Sequence, residues 1–258
     1  MITLQKECNS LLSNFYITKM IRWCFTMKLA VIGGGDLQDS NHLPINERLI
    51  ELTNKQYPKV LFIPTASHDD ESYIKLFLDT FEKQLHCEVQ ILRTTTDSPS
   101  KYEIDEMIHS ADLIYLGGGN YIHMFTQWKE HRLDEKLLLA LQQGTLIAGY
   151  SAGAMCWFTS SIRSDYEGSG YIESNGWGIV NKRFCPHYNQ LNRMNAFHSF
   201  LQNHQGNIEG IALEDNCALY ITEESFEIIG EPEKAWEFYM SDKTLIRQHF
   251  DITLKSYL

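Results

Sequence analysis

Several things are absent from this 258-residue chain, and each absence removes a class of protein. Cysteine is sparse: the six cysteines are widely scattered and none forms a C-x-x-C pair, which argues against a zinc ribbon or a disulfide framework and leaves reduced thiols as the expectation, with no structural metal. Long apolar runs are lacking too. The apolar residues between positions 11 and 25 are interrupted by Asn14, Thr18, Lys19 and Arg22, so neither a signal peptide nor a membrane span fits, and a cytoplasmic location is expected. No stripe of basic residues occurs. With 22 Lys and Arg against 33 Asp and Glu, the net charge is −11, which disfavours a general nucleic-acid binder because phosphate contacts need clustered cations. A single arginine in a pocket is still enough to bind a carboxylate.

No Pro/Gly/Ser-rich linker, repeat or low-complexity segment divides the chain, and 43% hydrophobic with 21% charged residues is an ordinary globular balance. Residues 27–258 are therefore expected to form a single domain. Residues 1–26 do not resemble the rest of the chain. Met27 is followed at once by Lys28-Leu29-Ala30-Val31-Ile32-Gly33, a first strand of an α/β fold, so Met27 is the expected natural start and 1–26 an upstream extension. The alternative is a partner-binding helix.

From Lys28 onward the hydrophobic pattern alternates. Strand-like runs at 28–33, 59–64, 88–92, 112–116 and 145–149 are separated by helical patterns near 45–56, 71–85, 102–109, 120–128 and 133–142. This predicts βαβ units and an α/β fold with a mainly parallel sheet, whose ligands bind at the carboxyl ends of the strands. Residues 159–180 are polar and Gly-rich and read as loops. A helix is expected around 192–203, and short runs at 208–213, 217–222, 225–229 and 236–239 read as strands that finish the sheet or form an antiparallel edge.

The most informative stretch is Gly149-Tyr150-Ser151-Ala152-Gly153. It has the G-x-S-x-G spacing of a nucleophile elbow and lies between an apolar strand and the small apolar run 152–158, which is suited to begin a helix. Ser151 would then project at the carboxyl end of the sheet, with the Ala152 amide aimed where an oxyanion forms. Two Gly triplets, 33–35 and 117–119, also follow strands. Neither has the pattern of a P-loop or dinucleotide fingerprint, so no nucleotide cofactor is expected. Gly118 or Gly119 is a candidate second oxyanion donor.

A serine hydroxyl needs a base, and the base needs an acid to orient it. Of the ten histidines, His187 stands out, because Pro186 fixes the backbone before it and Phe184 and Tyr188 give it an apolar setting. His42 and His123 are further candidates for a pocket wall, and His198 reads as a packed or surface histidine. For the acid, Asp165 and Glu214 both qualify, and a strand-end carboxylate is also a common turn former.

In this order, Leu116-Gly117-Gly118-Gly119-Asn120, Tyr150-Ser151-Ala152-Gly153-Ala154, Ile162-Arg163-Ser164-Asp165 and Pro186-His187 resemble the dipeptidase E family of serine peptidases, relatives of cyanophycinase. The resemblance runs from about 27 to 239. It implies a class I glutamine-amidotransferase-like, flavodoxin-like three-layer sandwich, with Ser151 as nucleophile, His187 as base, Glu214 as the acid of a Ser-His-Glu triad and Asp165 as the functional Asp after the elbow. Gly118, Gly119 and Ala152 would form the oxyanion hole, and Asn120 and Arg193 would contact substrate. The implied activity is hydrolysis of short peptides, dipeptides with an N-terminal acidic residue (Asp-Xaa) above all, without metal or other cofactor.

The helix after His187 departs from the family pattern, leaving Arg193 as the replacement for its substrate-binding basic residues. The expected partner is a small peptide, with neither nucleic acid nor membrane, and a homodimer is left open. The rival readings are an amidotransferase-like domain, an esterase on another acyl substrate, and a non-catalytic small-molecule binder. An amidotransferase would want a cysteine at the elbow, whereas Cys156, five positions on, reads as core. In an α/β-hydrolase the histidine normally follows the acid near the C-terminus.

Overall fold

Apolar residues dominate the central early strands because those strands are covered on both faces, while the half-exposed edge strand at 88–91 carries Glu88 and Gln90. The computed structural model of the chain describes residues 27–168, 170–204, 209–242 and 244–250; the extension expected at 1–26 lies outside them. Five parallel strands, β1 (Lys28–Ile32), β2 (Lys59–Ile63), β3 (Glu88–Ile91), β4 (Leu113–Leu116) and β5 (Leu146–Tyr150), form most of a seven-stranded sheet. Its order is β11-β10-β1-β5-β4-β2-β3, with β10 (Cys217–Ile221) antiparallel to β1 and β11 (Phe226–Gly230) antiparallel to β10.

The strand period of two sorts the side chains. Ala30, Ile32, Val60, Phe62, Leu113 and Tyr115 face α1 (Leu43–Leu52) and α2 (Glu71–Leu78), which contribute Ile45, Leu49, Ile74 and Phe77. Leu29, Val31, Leu61, Ile63, Ile114 and Leu116 face the opposite way, toward α3 (Lys101–Ser110), α4 (Tyr121–Glu130), α5 (Leu133–Gln142) and the short α6 (Ala152–Met155). Helices on both faces give the three layers. Caps set the helix starts: Ser100 and Glu103 form a reciprocal capping box on α3, and the Asn120 side chain accepts from the His123 amide on α4.

The second half of the chain builds a separate sheet that the sequence does not announce. Its order is β13-β12-β9-β8-β6-β7. β6 (Phe158–Ser164), β8 (Val180–Cys185) and β9 (Glu209–Leu213) run parallel, flanked by antiparallel β7 (Tyr171–Asn175), β12 (Ala235–Ser241) and β13 (Thr244–His249). One face, with Phe158, Val180, Phe184, Ile211 and Leu213, joins the core of the first sheet. The other packs Ile162, Cys185, Ala212 and Phe238 against Phe197 and Leu201 of α7 (Leu191–Asn203).

Two expectations are corrected by this architecture. Residues 159–180 are mostly β6 and β7 rather than loop, and the helix after the elbow ends at Met155, because Trp157 and Phe158 are drawn into the core where the second sheet begins. The four described cysteines, Cys87, Cys156, Cys185 and Cys217, are free and buried. Among the described residues no helix is long and apolar enough to cross a membrane.

Candidate active site

The carboxyl ends of five strands converge. β5 lies between β1 and β4, so the turn at Ser151 is flanked by both Gly triplets, Gly33 to Gly35 after β1 and Gly117 to Gly119 after β4. From the second sheet, the adjacent strands β8 and β9 end just before His187 and Asp215. Ligand sites of α/β sheets form at such carboxyl ends.

The elbow is strained and tightly packed. Ser151 adopts φ 49° and ψ −105°, a conformation that L-residues rarely hold. It is fixed by its amide donating to the Ile32 carbonyl at 3.0 Å, while its own carbonyl accepts from the Ala154 and Met155 amides at 3.0 and 3.1 Å. The flanking glycines are required by contact. A Cβ at Gly149 would lie 2.2 Å from the Gly153 carbonyl oxygen, and one at Gly153 would lie 2.5 Å from the Leu116 carbonyl oxygen.

Ser151 Oγ is 2.9 Å from His187 Nε2, and His187 Nδ1 is 2.6 Å from Asp215 Oδ1. His187 is held from behind, its amide donating to the Gly33 carbonyl at 2.9 Å with φ 50°. Asp215 is fixed in turn by Asn189, whose side-chain nitrogen donates to Oδ2 at 2.9 Å and whose oxygen accepts from the Asp215 amide at 3.2 Å. Burial pushes the Asp215 carboxyl up. The hydrogen bonds from His187 and Asn189, with the nearby charges of His187 and Arg193, pull it down further and leave it below the ordinary aspartate value. The result is a serine, a histidine and an ionised acid in line.

Glu214 is not part of this line. Its Oε1 accepts from Trp236 Nε1 at 2.9 Å and its amide donates to the Lys234 carbonyl, so it turns toward β12 while its neighbour Asp215 turns toward His187. Asp165 sits in the β6–β7 turn, where its carboxylate accepts from the Glu167 amide and its own amide donates to Gly170; no contact joins it to His187. The side chain of Asn120 is occupied as the α4 cap. Sequence reasoning missed Asp215, and the only signal for it is the doubled carboxylate at the end of β9.

The remaining donors fall into place around Ser151. Within the second triplet, Gly117 donates to the Ile63 carbonyl, whereas the Gly118 and Gly119 amides donate to no backbone carbonyl among the described residues, and that of Gly118 points at the Tyr73 hydroxyl. Ala152, as the first residue of α6, has an amide without an intrahelical acceptor. Gly118, Gly119 and Ser151 open on a cleft of about 450 Å³ lined also by Asp36, Tyr73, Tyr150, His187 and Arg193. Arg193 is buried, with its Nη1 donating to the Ile162 carbonyl at 3.2 Å and Nη2 to Ser164 Oγ at 3.4 Å, its guanidinium 4.8 Å from the Tyr171 ring, and Nε unpartnered. No carboxylate forms an ion pair with it among the described residues.

The other candidate histidines have structural partners. His42 is fully buried, packs edge-on against Tyr150 and bonds Asn216; His123 bonds Thr95 and stacks on His68; His198 bonds the Tyr188 hydroxyl. The Cys156 thiol is buried and donates to the Gly153 carbonyl. No group of three His, Cys, Asp or Glu among the described residues is arranged to hold a metal ion.

Comparison with known proteins adds independent findings. The model of peptidase family S51 matches residues 29–229. The uncharacterized peptidase YgaJ of Bacillus subtilis (strain 168) is 30% identical over 219 residues, which cover 83% of this chain and 92% of YgaJ. The uncharacterized peptidase Lmo0363 of Listeria monocytogenes is 24% identical over 177 residues, covering 66% of this chain and 84% of that protein. Among solved structures, a peptidase from an acI-B1 Actinobacterium superposes with a TM-score of 0.67 at 22% identity, covering 91% of this chain and 98% of the other. That last likeness speaks for the fold.

Proposed function

The chain belongs to peptidase family S51 and is a peptidase, and from that premise we propose that it hydrolyses short peptides, dipeptides with an N-terminal acidic residue first among them, through an acyl-enzyme on Ser151. The observation that carries this reading is the unbroken chain of contacts from Ser151 Oγ through His187 to Asp215.

His187 Nε2 takes the Ser151 proton as Oγ attacks the peptide carbonyl. Asp215 holds the imidazole in the tautomer with Nδ1 protonated and stabilises the imidazolium that forms. The Ala152 amide and that of Gly118 or Gly119 hold the oxyanion, and His187 returns its proton to the leaving amine. Water then attacks the acyl ester by the same route in reverse. In this scheme Asp215 takes the role that the family resemblance gave to Glu214, while Asp165 and Asn120 shape the hairpin and helix beside the cleft.

Substrate preference rests on charge. Arg193 is a buried cation that no carboxylate of the described residues contacts at ion-pair distance, Asp215 acting on it only through space, so a ligand of opposite sign gains from its charge. Asp36 offers a carboxylate in the same cleft, so a substrate bearing both an ammonium and an acidic side chain suits it. The cleft volume falls within the small-ligand range, roughly 300–1,000 Å³, which favours short peptides. The setting we propose for this activity is peptide turnover in the cytoplasm.

The test is hydrolysis of Asp-Xaa, Glu-Xaa, Asn-Xaa and neutral dipeptides by the wild type and by Arg193→Met. The wild type should prefer Asp-Xaa. The variant should lose about 10²-fold in kcat/KM on Asp-Xaa, corresponding to about 3 kcal/mol for one desolvated charge pair, and much less on the neutral dipeptide. Equal rates on all four substrates would count against the acidic preference, and no hydrolysis of any would move the reading to another acyl substrate.

A further inference from the structure

One group in the cleft has no role in peptide hydrolysis as derived from the serine, histidine and aspartate. Tyr73 lies in the first turn of α2, where the Asp70 side chain caps its amide at 2.8 Å. Its ring packs edge-on against Phe62 at 5.1 Å and lies against Gly117, where a Cβ would come within 3.2 Å of Tyr73 Cε1. Its hydroxyl is buried and its proton has no acceptor; the Gly118 amide points at the hydroxyl oxygen. Yet Tyr73 lines the same cleft as Ser151 and His187.

A buried hydroxyl left unsatisfied is destabilising, and phenylalanine would fill this space without that penalty. An orphan donor at a ligand cleft is therefore best explained by an acceptor that arrives with the substrate. The neighbouring glycines show where that acceptor would sit. Gly117 is against the Tyr73 ring, while a Cβ on Gly118 would lie 3.4 Å from the Cβ of Ser151. The two-residue step Gly117-Gly118 thus separates the Tyr73 ring from the nucleophile, with the Gly118 amide pointing at the Tyr73 oxygen.

We propose that Tyr73 is a further catalytic residue, its hydroxyl donating a hydrogen bond to the carbonyl oxygen that Ser151 attacks, alongside the Gly118 and Ala152 amides. The phenol proton stays on Tyr73 throughout; burial, which pushes the phenol well above its ordinary value, keeps it a donor. A donor aimed at a developing oxyanion contributes to the transition state more than to substrate binding. The inference rests on the reading of Ser151 as nucleophile.

The experiment compares wild type and Tyr73→Phe, as the full chain, in the second-order rate at which an alkyl fluorophosphonate labels Ser151, with thermal stability measured in parallel. The reagent's phosphoryl oxygen occupies the place of the carbonyl oxygen, so labelling reports the donors without depending on which peptide is cleaved. The variant keeps every ring contact and removes the orphan hydroxyl. Its labelling rate should fall about 10²-fold with Tm equal to or above that of the wild type. Labelling within about twofold of wild type would overturn the role of Tyr73 while leaving Ser151 as nucleophile. A slower rate accompanied by a clearly lower Tm would assign Tyr73 to packing and overturn it as well. If the wild type itself is not labelled, the serine-nucleophile reading fails, and this inference with it.

Discussion

Asp215 and Glu214 are adjacent carboxylates, and only one can orient His187, so paired substitutions separate them. In Asp215→Asn the new side chain keeps its size, and its oxygen remains available to the Asn189 amide that now contacts Oδ2 at 2.9 Å. Its NH2 group then faces His187 Nδ1 at the position where Oδ1 now stands 2.6 Å away. A donor there favours the tautomer with Nδ1 bare and Nε2 protonated, which cannot accept the Ser151 proton. In serine proteases with a Ser-His-Asp set the same change lowers kcat about 10⁴-fold, about 5 kcal/mol of transition-state stabilisation. Glu214→Gln, by contrast, keeps the oxygen that accepts from Trp236 at 2.9 Å and should stay within about threefold of wild type, as changes away from the reacting groups do. The assay is kcat and KM on the best dipeptide for both variants, with Tm to show that each is folded. A Glu214→Gln variant as impaired as Asp215→Asn, or an Asp215→Asn variant retaining a tenth of its activity, would refute the assignment.

Other outcomes rest on the same geometry. Ser151→Gly should abolish hydrolysis yet raise stability by about 1 kcal/mol, because glycine holds φ 49° without the strain a side chain incurs; a lower Tm would contradict the strained-elbow account. Gly34→Ala would place a Cβ 2.2 Å from the His187 ring and 2.3 Å from Asp215 Oδ1 at φ 153°, so activity should fall by about 10²-fold or more through a displaced histidine, as kinetics would show. The depressed Asp215 carboxyl stabilises the fold above the ordinary aspartate value and loses that contribution as pH falls through its lower folded value. The Tm difference between wild type and Asp215→Asn should therefore be largest near neutrality and close as pH drops through 3.8 and below, a trend that unfolding curves across acid pH would test.

Much of this was legible in the residues, for identifiable reasons. The strands β1, β2, β4 and β5 announce themselves because both faces are buried and nearly every position is apolar, whereas β3, at the sheet edge, alternates Glu88 and Gln90 with Val89 and Ile91. The elbow is legible because its glycines are forced by backbone contact, and His187 because Pro186 and its aromatic neighbours set it apart. The second sheet was not legible. β6 buries the small polar Ser160 and Ser161 beside an exposed Thr159, and β7 is an edge strand with Ile172 and Glu173 exposed, so neither carries a hydrophobic period. The identity of the acid was hidden for another reason. Successive residues at a strand end point to opposite sides, and which side faces His187 depends on the pairing of β9 with β8 and β12, which no local pattern encodes. Tyr73 gave no signal beyond being an aromatic residue on a predicted helix; its significance appears only when its hydroxyl is found buried beside Gly118 with no acceptor for its proton.

The central claim is that Ser151 performs the chemistry. The most direct test is hydrolysis of an Asp-Xaa dipeptide by wild type and Ser151→Ala side by side, with folding of both confirmed. The account requires hydrolysis by the wild type and a loss of roughly 10⁶-fold, to background, in the variant. A Ser151→Ala protein that cleaves the dipeptide within about tenfold of the wild-type rate would contradict it.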